Sequence, residues 1–284
     1  MSVGNDEPSE KGNYNIMDGT AGSVNGVFAS MAEEQDLCSL RKQAESMGAT
    51  NARGGKLQTT PSMSIGGASS VAPLNMATAY ATIANHGVTC QPIAIDSVID
   101  ASGKSIAVPK ARCRRTVDAG LSNAVTYALR GVITGRGGTM AGDQPDGRYL
   151  FGKTGTTDDA KDTWAIGSTS KITTAVWVGN TSGHTNLRDV FGFPYCPTQN
   201  STQAAIERHC VFKAIQGAAN AVYGGADGWA AAPSQYLYGG RYIATADARP
   251  KVPKPKPRPV VTPAKPTKSV APKPQKTKSG KPKH

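Results

Sequence analysis

At 284 residues, with 38% hydrophobic content, 32 Gly and 19 Pro, the chain is long enough for one packed domain and a tail but not for two large domains. The net charge of +12 is unevenly placed, because residues 249–284 hold twelve Lys or Arg and no acid while residues 1–248 hold twenty of each sign. No stretch approaches the roughly eighteen consecutive apolar residues of a membrane helix, and residues 1–30 lack the basic-then-apolar pattern of a secretory signal, so if the protein is exported its signal is expected outside this chain.

Residues 1–22 are rich in Gly, Asn and Asp and read as an irregular leading segment. From Ser23, at an N-cap position, Val24, Val27, Phe28, Met31 and Ala32 recur at helical spacing. A second helix is capped by Asp36, built on Leu37, Leu40, Ala44 and Met47, and stopped by Gly48. Pro73 opens a third, with Leu74, Ala77, Tyr80, Ala81 and Ala84 as its inward face and His86-Gly87 as its end. Short strands and a turn follow to about Pro109. Residues 117–134 predict a helix striped by Val117, Leu121, Val125, Leu129 and Val132, closed by a glycine-rich loop from Gly135 to Gly147. Tyr149–Thr156, Thr163–Gly167 and Ile172–Val178 predict an antiparallel meander, and residues 203–222 a last helix with Ile206, Val211, Phe212, Ile215, Ala219 and Val222 buried. Helices on an antiparallel sheet make an α+β domain over residues 23–240. Beyond Arg249, ten prolines alternate with lysines, so residues 249–284 predict a disordered basic tail.

Five cysteines, at 38, 90, 113, 196 and 210, fit neither a zinc spacing nor a Cys-x-x-Cys redox motif, and neither a metal nor a cofactor is expected. Cys90 and Cys113 bracket a strand, a turn at Asp100-Ala101-Ser102-Gly103 and a second strand, while Cys196 and Cys210 flank a loop leading into a helix. Two disulfides in an oxidising compartment and five thiols in a reducing one are both open on these residues alone.

The strongest local signal is Phe151-Gly152-Lys153-Thr154-Gly155-Thr156-Thr157 on a predicted strand. An ammonium, hydroxyls and a glycine at a strand edge suit a carboxylate: charge attracts it, hydroxyls bond its oxygens, and the glycine admits a substrate backbone. Alone, the triplet reads more readily as a solvated strand edge. A phosphate loop is excluded, since it needs its glycines before the lysine and a helix after it. The second signal is Ser23-Val24-Asn25 at a helix start, where a hydroxyl and an amide project beside the positive end of the helix. Taken alone, Ser23 there is an N-cap. The two motifs together, in this order and with a helical block between them, are more specific.

With these motifs the chain resembles the penicillin-binding transpeptidases, of the bifunctional class A, actinobacterial type. The resemblance runs from about Gly12 to Gly224. It is carried by Ser-Val-Asn-Gly-Val-Phe at 23–28, by Ala-Pro-Leu-Asn-Met-Ala-Thr-Ala-Tyr-Ala-Thr-Ile-Ala-Asn-His-Gly at 72–87, and by Gly-Lys-Thr-Gly-Thr-Thr through Val-Trp-Val-Gly-Asn at 152–180. It implies a serine acyl-enzyme formed on D-alanyl-D-alanine stem peptides, β-lactam binding, and cell-wall cross-linking at the extracytoplasmic face of the membrane. Ser23 would relay a proton toward the leaving amine, Asn25 would bond the substrate amide and Lys153 would place charge near Ser23. Thr154 and Thr156 would hold the substrate carboxylate, Gly155 would admit the substrate backbone, and the Thr156 backbone would lend an oxyanion donor. The resemblance also favours export, and with it the pairs Cys90 with Cys113 and Cys196 with Cys210.

The family's Ser-x-x-Lys nucleophile motif lies upstream of Ser-x-Asn, and residues 1–22 contain none. Ser39-Leu40-Arg41-Lys42 and Ser168-Thr169-Ser170-Lys171 have that spacing but the wrong order. The chain is therefore expected to be an N-terminally incomplete transpeptidase domain, inactive alone and marginally stable. The alternative is an inactive penicillin-binding-like fragment that binds wall material. The tail predicts attraction to anionic wall polymers or lipid headgroups, or a plain spacer. Nucleic-acid binding accounts for the tail but not for residues 12–224, and is not expected.

Overall fold

The computed structural model describes residues 4–6, 10–67, 69–192, 203–225 and 228–238, with the backbone of 243–244. The chain divides into two units, Met1–Arg249 and Pro250–His284, and only the first holds described residues; the basic tail and Cys196 lie outside them.

In chain order the elements are β1 (Asn13–Tyr14), α1 (Ile16–Ala21), α2 (Asn25–Glu33), α3 (Leu37–Ser46) and α4 (Pro73–Ala84). Four short strands follow, β2 (Val88–Cys90), β3 (Val98–Ile99), β4 (Ser105–Ile106) and β5 (Cys113–Arg115), and then α5 (Ala119–Thr134). The meander is β6 (Phe151–Thr156), β7 (Asp162–Ser168) and β8 (Thr173–Gly179), and α6 (Glu207–Tyr223), α7 (Ser234–Leu237) and β9 (Ile243–Ala244) close the fold. β6, β7 and β8 form one antiparallel sheet in sequence order, which gives the expected α+β class. Among the described residues β6 pairs with β7 on one side and with no strand on the other.

Local chemistry places most helix starts. Asp36 accepts from the amides of Cys38 and Ser39 ahead of α3, Pro73 begins α4, and Asp118 accepts from Leu121 N ahead of α5. Gly87 turns the chain out of α4 at φ +84°, and a Cβ there would stand 2.1 Å from the Val117 carbonyl oxygen. Two expectations need correction. The leading segment is not irregular throughout, because residues 16–21 are helical. Asn15 caps that helix by accepting from Asp18 N, and Met17 and Ala21 reach the surface of α5 at Gly131, so docking offsets its weak intrinsic propensity. The apolar stripes are also displaced. Leu74 of α4 is 62% exposed, Leu121 of α5 41%, and Ile215 and Val222 of α6 49% and 74%. On α6 the inward face is Phe212, Gln216 and Asn220, where Gln216 donates to Asn220 and Asn220 to Asp146 Oδ2 at 3.0 Å. A hydrogen-bonded polar ladder thus takes the place of an aliphatic stripe, with Gln216 Oε1 left buried and unpartnered among the described residues.

Cross-strand register sorts the sheet's two faces. Thr154, Ala165 and Val176 are partners on one face, Lys153, Ile166 and Ala175 on the other. Val132, Ile133, Met140, Leu150 and Phe212 bury the first face against α6, all but Ile133 essentially without exposure. Ile83, Ala84 and Phe151 form the second cluster under α4, joined by Tyr80, Val125 and Leu129. Trp229 meets Phe151 and Tyr149 edge-on at 5.1 and 5.2 Å and donates to the Ala84 carbonyl, fixing the end of α4 on that cluster. β6 therefore rests in packed core along one side and presents its motif along the other.

Candidate active site

Folding brings the two motifs together. Lys153 projects from β6, and its Nζ donates to Ser23 Oγ at 2.5 Å, across 130 residues of sequence, and to the Thr154 carbonyl at 3.0 Å. Ser23 is not the N-cap that its position suggested. Val24 occupies the cap of α2, without a side-chain bond, while Ser23 sits in the left-handed region at φ +60°. Its hydroxyl is thereby released from capping and held by the lysine. A serine at positive φ is backbone strain of the kind that surrounding packing must enforce: Val24, 1% exposed, donates its amide to the Gly19 carbonyl at 2.9 Å.

Burial pulls the Lys153 ammonium down from 10.5 to about 8; the nearby Arg208 guanidinium adds to the fall and Glu10 opposes it. At that value the group is mostly protonated near pH 7 and can still release its proton to a neighbour. Asn25 lies two residues from Ser23, and its Nδ2 donates to the Gly4 carbonyl at 3.2 Å, while Asn5 Oδ1 accepts from Gly26 N. Asp6 pairs with Arg188 at 2.7 Å, so residues 4–6 run from the start of α2 toward the residues after β8. A peptide carbonyl already rests where the resemblance puts the substrate amide.

The two threonines share a face of β6 but separate by burial and by partner. Thr154 is buried and donates to Thr139 Oγ1 at 2.7 Å, whereas Thr156 is exposed and accepts from Arg208 Nη1 at 3.0 Å. Gly155 shares the face of Lys153, and its carbonyl also accepts from Arg208 at 3.4 Å. No motif pointed to Arg208, which stands at the second position of α6, more than fifty residues beyond the Lys-Thr-Gly run. Its neighbour His209 contacts the buried Asp143.

Neither later Ser-x-x-Lys joins this group. Ser39, in the first turn of α3, donates its hydroxyl to the capping Asp36 at 2.6 Å, and no residue of that helix is buried. Ser168 is fully buried and donates to the carbonyls of Thr169 and Ile172 in the turn after β7. Cys90 and Cys113 are directly opposed on β2 and β5 and form a disulfide, Cys210 is disulfide-bonded, and Cys38 is a free, exposed thiol. Among the described residues no group of three or more His, Cys, Asp or Glu could hold a metal ion, and no helix is long and apolar enough to cross a membrane.

Residues 5–186, more than half of the chain, match the family described as the penicillin binding protein transpeptidase domain. The chain belongs to that family. It is 34% identical over 128 residues to Penicillin-binding protein 1A of Mycolicibacterium smegmatis, covering 43% of this chain and 16% of that protein. To Penicillin-binding protein 1A of Aquifex aeolicus it is 28% identical over 175 residues, covering 62% and 23%. These relatives agree with the class A resemblance read from the sequence, and the chain spans less than a quarter of their length. Among solved structures, the penicillin-binding protein PonA1 of Mycobacterium tuberculosis superposes with a TM-score of 0.61 at 20% identity, covering 77% of this chain and 62% of that one. The fold is thus that of a penicillin-binding transpeptidase domain.

Proposed function

We propose that this chain carries the proton-relay and substrate-holding side of a D,D-transpeptidase site that cross-links peptidoglycan outside the cytoplasm. The observation that carries the reading is the contact between Lys153 Nζ and Ser23 Oγ, which joins two motifs 130 residues apart. A lysine with lowered proton affinity, donating to a serine hydroxyl, suits transfer of a proton toward a leaving amine. In the reaction a serine oxygen attacks the carbonyl of the penultimate D-alanine, the bond to the terminal D-alanine breaks, and its nitrogen takes a proton through Ser23. The acyl group then passes to an amine of a neighbouring strand. Asn25 bonds the substrate amide once the Gly4 carbonyl leaves it. Thr156, exposed at the strand end, holds the terminal carboxylate more directly than Thr154, whose hydroxyl is engaged by Thr139. Thr154 orders the strand beneath, and Gly155 leaves room for the substrate backbone. The same groups suit a β-lactam carboxylate; PonA1 has been solved in complex with penicillin V.

Both Ser-x-x-Lys sequences stand outside the site and their serines are bonded locally, which favours a second reading in which this chain binds wall peptides without being acylated. Titration of the 284-residue chain with a D-alanyl-D-alanine-ended peptide, beside labelling with a fluorescent penicillin, separates the two. Peptide binding lost tenfold or more in Lys153→Ala, with no covalent label, is the expected result for a site lacking its nucleophile. Stoichiometric acylation would place the nucleophile within this chain, and failure to bind the peptide would overturn the substrate assignment.

A further inference from the structure

Arg208 is a cation whose hydrogen-bond partners among the described residues are all neutral. Its Nε donates to His209 Nε2 at 3.1 Å, and its Nη1 donates to Thr156 Oγ1 at 3.0 Å and to the Gly155 carbonyl at 3.4 Å. For the imidazole to accept at Nε2 its proton must be on Nδ1, and that nitrogen donates to Asp143 Oδ2 at 2.5 Å. The carboxylate therefore meets the imidazole, and the guanidinium is left with no ion pair of 4 Å or less among the described residues. A direct Arg–Asp pair would have neutralised the arginine; the interposed histidine orients it and keeps its charge.

The arrangement is anchored in the core. Asp143, 7% exposed, donates its amide to the Met140 carbonyl; Met140 is fully buried and donates its own amide to Val132 of α5. Asp143, His209, Arg208 and Thr156 thus form a continuous chain from packed interior to the exposed end of β6. Lys153 projects from β6 on the opposite face, its hydrogen bonds also going to neutral oxygens. The two cations flank Gly155; burial holds both below their ordinary values, Arg208 to about 10 and Lys153 to about 8, and repulsion from Arg208 adds to the fall at Lys153. An anion placed between them relieves that repulsion, and Thr156, which accepts from Arg208, keeps its own hydroxyl proton for the same anion.

We propose that Arg208, oriented by His209 and Asp143, is a second cationic contact for the terminal carboxylate of the D-alanyl-D-alanine peptide, acting beside Thr156 at the end of β6. The proposal rests on the transpeptidase reading, which supplies the ligand, and adds to it a specificity-determining arginine with two positioning residues.

The test compares an N-acylated D-alanyl-D-alanine peptide with its C-terminal amide, titrated into the full chain and into Arg208→Ala, Arg208→Lys, His209→Ala and His209→Gln. Loss of one charge-assisted contact predicts that Arg208→Ala weakens carboxylate binding about tenfold or more while leaving amide binding unchanged. Arg208→Lys falls between, since one ammonium cannot bridge His209 and Thr156 together. His209→Ala loses part of the carboxylate preference and His209→Gln, whose amide can accept from Arg208 and donate to Asp143, recovers it; a merely structural role for His209 would shift both ligands equally. If Arg208→Ala loses its cooperative melt, the carboxylate-to-amide ratio of Arg208→Lys decides. An unchanged ratio in the arginine variants, with binding lost in Lys153→Ala, overturns this inference and leaves the transpeptidase reading intact. No binding of either peptide by the wild-type chain overturns both.

Discussion

Replacing Lys153 by Met removes the charge while keeping an apolar stem of similar length, and its consequence is a change in how stability depends on pH. The folded-state value is lowered from 10.5 to about 8. Below pH 8 the lysine is protonated in both states and contributes no slope. Between about 8 and 10.5 the unfolded chain binds more protons than the folded one, so the free energy of unfolding rises with pH by up to about 1.4 kcal/mol per unit. The charged form thus costs the fold about 3 kcal/mol at most at neutral pH, relative to a neutral amine in the same place. Integrated between pH 8 and 9.5, the wild-type chain should gain about 1.5 kcal/mol that Lys153→Met does not, a separation of roughly 0.5 M in urea midpoint. Urea titrations of both proteins at half-unit pH steps give the difference directly, and tyrosine ionisation cancels in it. Parallel stability curves from pH 7 to 9.5 would show that Lys153 is solvated and unperturbed, and would remove the physical basis for its role in proton transfer. Because Arg208 contributes to the lowering, Arg208→Ala should move the wild-type rise to higher pH.

Phe151 is fully buried between Tyr80 and Trp229, so Phe151→Ala should cost about 3–5 kcal/mol in chemical denaturation, and a loss under about 1 kcal/mol would contradict the packing described. A Cβ on Gly155 would meet Trp164 at an ordinary 3.4 Å, whereas one on Gly152 would stand 2.6 Å from the Ile166 carbonyl oxygen and 2.9 Å from Met140 Sδ. Gly155→Ala should therefore keep its melting temperature and lose peptide affinity, while Gly152→Ala should melt earlier; the reverse order would refute the assignment of Gly155 to the open side of β6. The Cys90–Cys113 bridge closes a separation of 23 residues, and replacing both cysteines by Ser should cost about 3 kcal/mol of stability in urea titration. An unchanged midpoint would mean that the β2–β5 pairing holds those ends together without the bond.

The parts legible in the sequence are those whose physics is local. Asp36 and Asp118 accept from amides within three residues of themselves and Pro73 presets the backbone of the first helical position, so the starts of α3, α4 and α5 follow from residue type. The alternation through residues 149–178 gives the meander, and the opposition of Cys90 to Cys113 follows from strands of matched length around a turn. Less was visible where a local rule met a tertiary competitor. Ser23 has the residue type of an N-cap, yet Lys153 holds its hydroxyl and Val24 takes the cap. Ile215 and Val222 look like core, yet α6 turns Gln216 and Asn220 inward, where Gln216 donates to Asn220 and Asn220 to Asp146.

The sequence by itself determined the family, the strand that bears Lys153-Thr154-Gly155-Thr156, and the spacing that sets Ser23 and Asn25 at one helix start. Only the tertiary structure decided that Lys153 meets Ser23, that Thr154 turns to Thr139 while Thr156 stays open, and that Arg208 reaches the strand end through His209 and Asp143. Propensity and capping act within a turn or a strand pair, whereas a buried cation takes its neighbours from whichever elements the core brings against it, and those lie up to 130 residues away.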